Sequence, residues 1–129
     1  MAVDLNNTLA DTILDTYDTH FPAGSLLQVR TGAPAGAENA AGGSLLGEIT
    51  TPATPWSAAS GGSKAKNGTW SVAASGAGTA GHYRLKNAAD TLREEGVVTA
   101  SGAGGDMTLD NTSIAIGQVV TINSFTKNL

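Results

Sequence analysis

The sequence predicts an all-β fold, an antiparallel β-sandwich of jelly-roll or immunoglobulin-like type. We expect about seven to eight strands and an N-terminal amphipathic helix. After residue 24, apolar and polar residues alternate with a period of two in short runs. Gly, Ser, Asn and Pro separate these runs at near-regular intervals, and no helical pattern lies between them, which argues against a βαβ sheet. The first 21 residues instead carry an apolar spacing of four.

Length and composition predict one domain with a thin core. The chain has 129 residues, which suits a single domain, with the helix at 1–21 and the sandwich at 24–126. Leu, Ile, Val and Phe together number 25, whereas Ala and Gly together number 38. A core so poor in bulky side chains gives marginal stability to an isolated monomer. A partner that binds only the folded state would add to that stability.

Charge and composition argue against several classes of function, among them nucleic-acid binding and membrane insertion. Seven Lys and Arg stand against eleven Asp and Glu, which argues against nucleic acid as the main partner. The chain has no cysteine, so disulfides and thiolate metal sites are excluded. No signal-peptide pattern occurs, and no apolar run approaches the roughly 20 residues of a membrane span. We therefore expect a soluble protein without a membrane partner.

The N-terminal segment predicts a helix with one apolar and one acidic side. The apolar residues recur every four positions at Leu5, Leu9, Ile13 and Tyr17. The acidic side includes Asp11, Asp15 and Asp18, and no Lys or Arg lies in this segment to neutralise it. Two interpretations remain open. The acidic side is either solvated, or it docks against a basic surface where complementary charge sets the register.

Two long connections, residues 32–43 and 51–67, are expected on the surface because neither can form a core of its own. Trp56 lies within the second connection. It either pins that loop to the sandwich, which we favour, or acts as an exposed contact residue. Lys64 and Lys66 in the same loop are further candidate contacts.

The strand patterns place further residues. Tyr83 and Leu85 alternate with Arg84 and Lys86, so the two cations lie on the polar side of their strand, towards solvent or an acidic neighbour. Their charge is opposite to that of the helix, which permits head-to-tail contacts between copies. Residues 102–105 are short enough to join 97–101 and 106–110 as a hairpin. Beyond it, Ile114 and Ile116 are expected in the core.

Two short motifs resemble a nucleotide-binding site and a metal site, but neither has the structural context that such a site needs. GAGTAG matches the dinucleotide-binding glycine pattern, but it leads into a strand and not into the helix that would hold a pyrophosphate. In the stretch DTYDTH, a helix directs His20 nearly opposite Asp18, so the two cannot converge on one metal ion. We therefore expect no catalytic residues, no metal, no cofactor and no enzymatic activity.

Several segments resemble small proteins encoded among the virion genes of tailed phages. The most characteristic are AGTAGHYRL around Tyr83 and GGDMTLDNTSIAIGQVVTINSFT near the C-terminus. The LLQVRTG opening after the helix and the ASGGSKAKNGTW loop resemble the same group. The resemblance implies a virion structural protein made in the host cytoplasm, and capsid decoration is the favoured role. A decoration (cement) subunit clamps neighbouring capsid proteins, so the implied partners are the major capsid protein or other virion proteins, and the implied assembly is a homo-oligomer such as a trimer.

Two alternatives remain. A neck, collar or tail accessory protein would share every feature above and would differ in copy number. A carbohydrate-binding module for host attachment would need a platform of aromatic side chains. Only Trp56, Trp70, Tyr17 and Tyr83 are available for such a platform, and at least two of them are expected in the core.

Overall fold

The N-terminal segment is helical, but its helix is shorter than expected and interrupted. The computed structural model describes residues 4–129, so the first three residues of the expected 1–21 helix lie outside the described residues. Helix α1 spans Asn7–Leu14 and the short helix α2 spans Tyr17–His20. The side chain of Asn6 caps α1 by accepting a hydrogen bond from the Leu9 amide, as Asn commonly does at this position.

The rest of the described chain is mostly β-structure, which confirms the predicted all-β character. The strands of residues 4–129 are β1 Leu26–Thr31, β2 Leu45–Thr50, β3 Ser63–Ala65, β4 Ser71–Ala73, β5 Gly78–Lys86, β6 Arg93–Ala100, β7 Met107–Leu109, β8 Ser113–Ile114 and β9 Val119–Asn128. Strands β3 and β8 had no predicted counterpart. They contain only three and two residues, which is too few for an alternation to be visible in sequence.

The strands form one mixed sheet that curls around the core. Its order is β2-β1-β5-β6-β7-β9-β3, with β4 paired to β9 and β8 paired to β5. The backbone amides of Ser75 and Gly76, just after β4, donate to the carbonyl of Leu46 in β2. These bonds bring β4, which pairs with β9, next to β2 at the opposite end of the strand order.

One pair of strands is parallel, so the expectation of an entirely antiparallel sheet is wrong. Strands β6 and β7 run in the same direction, with Val98 opposite Met107. The predicted hairpin at 102–105 is also wrong, because the connection reverses the chain twice. Gly102 and Gly104 adopt φ angles of +86° and +85°, a region that glycine enters without a steric penalty. The Asp106 carboxylate then accepts a hydrogen bond from the Val97 amide and holds the returning chain beside β6.

The inward alternation of the predicted strands is largely confirmed. Tyr83 and Leu85, expected on the apolar side of their strand, are almost completely buried, and so are Met107 and Leu109 of the predicted strand at 106–110. Ile116 is 71% exposed, so its predicted place in the core is wrong. The chain turns after β8 and carries Ile116 outside the sheet before β9 begins.

All six aromatic residues of the chain pack into one cluster at the centre of the core. They are Tyr17, Phe21, Trp56, Trp70, Tyr83 and Phe125. The ring of Trp56 lies 5.3 Å from Trp70 and 5.5 Å from both Tyr17 and Phe125. Its indole N–H donates to the Phe21 carbonyl at 3.0 Å. Trp56 is only 3% exposed, so it pins the 51–67 connection to the sheet and does not act as an exposed contact.

Candidate functional site

The acidic side of the N-terminal helix faces the protein's own 51–67 connection. Asp11 accepts a hydrogen bond from the Gly62 amide at 2.7 Å, and Asp15 accepts one from the Ala59 amide at 3.0 Å. The Lys64 ammonium lies 2.7 Å from Asp15 and 3.2 Å from Asp18. The expectation that no cation neutralises this side is therefore wrong, because the counter-charge comes from β3, distant in sequence.

These contacts change how the predicted contact residues are understood. The Lys64 side chain is completely buried, and its ammonium also donates to the Ser57 carbonyl at 2.9 Å. Docking of the three aspartates onto a basic partner would have to displace these internal bonds. Lys66 is partly buried and donates to the Gly68 carbonyl at 2.9 Å. The helix and the 51–67 connection therefore hold each other in place.

The pairing of Asp15 with Lys64 predicts a loss of stability in acid. The hydrogen bond from Lys64, and then that from the Ala59 amide, hold the pKa of Asp15 below its ordinary value of 3.8. The folded pKa therefore lies below the unfolded one, so the stabilisation is complete above the unfolded value and disappears as pH falls through the lowered folded value. We expect Asp15→Asn to flatten the acid limb of stability, measured as the free energy of unfolding in urea from about pH 6 to about pH 2.

Asp110→Asn is the matched control, because Asp110 is exposed and its side chain forms no hydrogen bond within residues 4–129. This variant should keep the acid limb of the unaltered protein. An identical acid limb for Asp15→Asn and Asp110→Asn would contradict the role assigned to Asp15.

A second polar cluster joins α2 to the sheet. The Glu94 carboxylate accepts hydrogen bonds from the hydroxyls of Tyr17 and Tyr83, and it also pairs with the Lys127 ammonium. Burial raises the pKa of both tyrosines, and the nearby carboxylate raises it further. Both phenols therefore keep their protons and act as hydrogen-bond donors. The cluster therefore anchors α2 to β6 and β9.

A concave feature of the described chain lies under the 32–43 loop. It is a cavity of about 320 Å³ between that loop and the outer face of β1, β5 and β6. Four of the seven Lys and Arg of the chain line it, namely Arg30, Arg84, Lys86 and Arg93. We refer to it as the cationic pocket.

Strand register brings these side chains together. Residues opposite each other in neighbouring strands project to the same face of a sheet. Arg84 of β5 lies opposite Gln28 of β1 and Glu95 of β6, and Lys86 lies opposite Arg93. Because Tyr83 and Leu85 occupy the core face of β5, Arg84 and Lys86 project to the outer face. Three adjacent strands therefore build one polar layer.

The arginines of this layer hold the 32–43 loop against the sheet. Arg84 donates from Nη2 to the carbonyls of Asn39 at 2.7 Å and Gly36 at 3.2 Å. Its Nε pairs with Glu95 at 2.8 Å, and the two side chains are only 6% and 4% exposed. Glu95 in turn accepts the Gly36 amide at 2.7 Å. A loop rich in Ala and Gly, with little side-chain packing of its own, is thus ordered through its backbone.

Further contacts continue the same pattern on either side of Arg84. Arg30 donates from Nε to the Gly42 carbonyl at 2.8 Å and from Nη1 to Gln28 at 2.9 Å. His82, on the same face of β5, is completely buried, with Nδ1 at 2.9 Å from the Gly32 carbonyl. Its Nε2 has no hydrogen-bond partner within the described chain. The loop therefore covers the end of this face near His82 and leaves the end near Lys86 open.

Two of the four cations of this pocket were predicted from the sequence. Arg84 and Lys86 were expected together on a polar strand face, and the structure places both there. Arg30 and Arg93 were missed. The sequence did contain a signal for them. Gln28 and Arg30 are two residues apart in β1, as are Arg93 and Glu95 in β6, and residues at this spacing lie on one face of a strand.

The described residues were also compared with the requirements of a metal site and of a membrane-spanning helix. Within residues 4–129, no three His, Asp or Glu side chains come close enough together to bind a metal ion. Neither α1 nor α2 has the length and apolar character needed to cross a membrane. Compared with protein-family models, curated proteins and solved structures, the chain gives no match in any of the three cases.

Proposed function

We propose that the chain is a structural subunit of a tailed-phage particle, and that it decorates the capsid by binding neighbouring capsid proteins. The resemblance of the AGTAGHYRL and C-terminal segments to virion proteins supports this proposal. So does the polar anchoring described above, which orders the helix and both long loops of a small β-rich body. Such a body suits a protein that acts through its surface.

The orientation of α1 is the observation that carries the proposal. The helix packs through the small residue Ala10 and through Leu14, and its acidic side is bonded to the 51–67 connection. Leu9 and Ile13, one turn apart, are left 49% and 42% exposed. An amphipathic helix of a self-contained domain normally buries such a stripe. A helix that is firmly anchored yet presents bulky apolar side chains outwards suits a protein-binding surface.

A second exposed apolar surface lies at the turn into β9. Ile116 is 71% exposed and Val119 is 63% exposed. Val119 lies opposite Ala73 of β4, so the two share an outward face. We propose that copies of the chain meet through apolar contacts of this kind, as a homo-oligomer on the particle. Charge pairing between the helix and Arg84 of another copy is disfavoured, because both partners are already bonded within their own chain.

The curled sheet also bears on the finer fold. We propose that it encloses the core as a β-sandwich of jelly-roll or immunoglobulin-like type. The bonds from residues 75 and 76 back to Leu46 support this, because they bring β4 to β2 at the other end of the strand order. Rings from different elements, such as Tyr83 and Phe125, meet in the interior with centroids 4.9 Å apart.

Of the two alternative functions, the structure is compatible with one and disfavours the other. A neck, collar or tail accessory protein would use the same exposed apolar surfaces and remains the alternative role. A carbohydrate-binding module is disfavoured, because five of the six aromatic residues are buried in the core and the sixth, Tyr17, packs against it. No aromatic side chain of the described chain is left to stack on a sugar ring.

Removing the apolar stripe of α1 tests the proposed role. The double variant Leu9→Ser with Ile13→Ser should lower the free energy of unfolding by about 1–2 kcal/mol and leave the fold intact, because each side chain is already about half exposed. It should bind capsids that lack the protein at least about tenfold more weakly, since the apolar area is lost only from the interface. Binding is measured by co-sedimentation of the purified protein with those capsids.

Leu92→Ser provides the control, because Leu92 is also exposed, at 39%, but lies in the turn between β5 and β6. It should leave capsid binding unchanged. Unaltered binding of the Leu9/Ile13 double variant, with its fold intact, would rule out α1 as the docking surface.

A further inference from the structure

We propose that the cationic pocket under the 32–43 loop is a binding site for a small polar anion, a molecule that carries a phosphate, sulfate or carboxylate group. The inference does not depend on the proposed role in a phage particle. Three observations support it: cations outnumber carboxylates in the pocket, the Lys86 ammonium forms no ion pair, and the lining residues are mostly polar.

The charge of the pocket is not balanced by its own carboxylates. Four cations line it against two carboxylates, Glu38 and Asp90. Arg93 is paired with Asp90 at 2.7 Å, and Arg84 is paired with Glu95. Arg30 donates only to uncharged oxygens, those of Gln28, Gly42 and Gly43. The positive charge of Arg30 therefore has no carboxylate partner.

Lys86 is the second cation without a direct ion pair, since it acts on the pKa of Asp90 only through space and less than Arg93 does. It is partly buried, and its ammonium forms no hydrogen bond or ion pair within residues 4–129. An ammonium withdrawn from water loses hydration that a charged ligand can replace. Lys86 also extends from the same face of β5 as Arg84, whose hydrogen bonds within the described chain all come from Nε and Nη2 and leave Nη1 available. Together these donors form a recess for negative charge.

The lining also limits what the rest of the ligand can be. The apolar lining residues are only Ala40 and Ala41, and no aromatic residue borders the cavity. Gln28 and Asn39 supply neutral polar groups beside the cations. Ligand pockets for apolar molecules are mostly lined by hydrophobic and aromatic side chains, which this one is not. Its volume of about 320 Å³ exceeds that of a bare oxyanion and suits an anionic group attached to a polar body, such as a sugar phosphate or a hydroxy-acid.

Nuclear magnetic resonance of the full ¹⁵N-labelled chain tests the proposal. Inorganic phosphate, glucose 6-phosphate and citrate are titrated separately at constant ionic strength, which is maintained with sodium chloride. We expect at least one of them to cause saturable shifts of the amides of Glu38, Asn39, Ala40 and Ala41. The three probes separate the sources of the charge, because glucose 6-phosphate adds a polar body to the phosphate and citrate replaces the phosphate by carboxylates.

Lys86→Gln is the diagnostic variant. The Lys86 ammonium forms no hydrogen bond or ion pair within residues 4–129, so the substitution should leave the fold and the 32–43 loop intact. It should weaken the affinity for the anion by at least about tenfold. Lys66→Gln removes a cation that does not line the pocket and should leave the affinity unchanged. The proposal is overturned if none of the three anions shifts these amides in a saturable way, or if Lys86→Gln binds as tightly as the unaltered protein.

Discussion

Replacing Arg84 with Met is expected to lower the free energy of unfolding by about 3–5 kcal/mol, because Glu95 then stays buried without its cation. The pair is almost completely enclosed, and Arg84 also donates to two carbonyls of the 32–43 loop. The substitution keeps much of the aliphatic volume, so the loss reports on charge and hydrogen bonding more than on packing. Equilibrium unfolding in urea measures it, and hydrogen exchange of the loop amides shows whether the loop is released.

Arg93→Met is the control for this experiment. Arg93 belongs to the same polar layer but pairs with Asp90 at the surface, where solvent screens the interaction. Its removal should cost far less than that of Arg84. Equal losses for the two variants would contradict the stabilising role assigned to the buried Arg84–Glu95 pair.

Trp56→Ala should produce a loss of similar size, about 3–5 kcal/mol, because it removes the ring at the centre of the aromatic cluster. Three other rings pack around Trp56, and its indole N–H satisfies the Phe21 carbonyl. Because Trp56 carries the 51–67 connection into the aromatic cluster, we also expect proteolysis within that connection. The measurements are thermal unfolding followed by circular dichroism, and limited proteolysis.

Trp56→Phe separates the ring from its hydrogen bond. Phe keeps an aromatic ring in the cluster but leaves the Phe21 carbonyl without its donor. We expect a loss of about 1–3 kcal/mol, less than that of Trp56→Ala. A change below about 1 kcal/mol for Trp56→Ala would mean that the cluster does not depend on this residue.

The β-rich character of the fold could be predicted because alternation is a local property of sequence. Tyr83, Leu85, Met107 and Leu109 follow it and are buried. The direction of strand pairing could not be predicted in the same way. A period of two is identical in parallel and antiparallel strands, so the parallel pair β6–β7 left no trace in the pattern of apolar residues.

The environment of the charged residues was harder to predict than their orientation. Arg84 and Lys86 were correctly expected on one face of a strand. That Arg84 would be buried depends on the 32–43 loop, whose Ala and Gly residues give no signal that they cover a sheet. Asp15 and Lys64 are 49 residues apart, and only the three-dimensional arrangement makes them a pair.

These buried polar contacts also explain how a chain so rich in Ala and Gly keeps its loops in place. A single aromatic cluster fills the centre, while Lys64, Arg84 and Glu94 attach the helices and the 32–43 loop from the outside. Because these charged side chains are bonded within the chain, few of them are available for contact with other molecules. On the proposed role, the exposed apolar side chains of α1 and of the turn into β9 meet neighbouring proteins.

The number of copies of the chain in purified particles of the phage that encodes it tests this role most directly. Quantitative mass spectrometry against the major capsid protein provides that number. We expect hundreds of copies per particle, as a subunit that decorates the capsid lattice requires. A dozen copies or fewer would place the chain in the neck or tail instead, and its absence from assembled particles would contradict a structural role in the virion altogether.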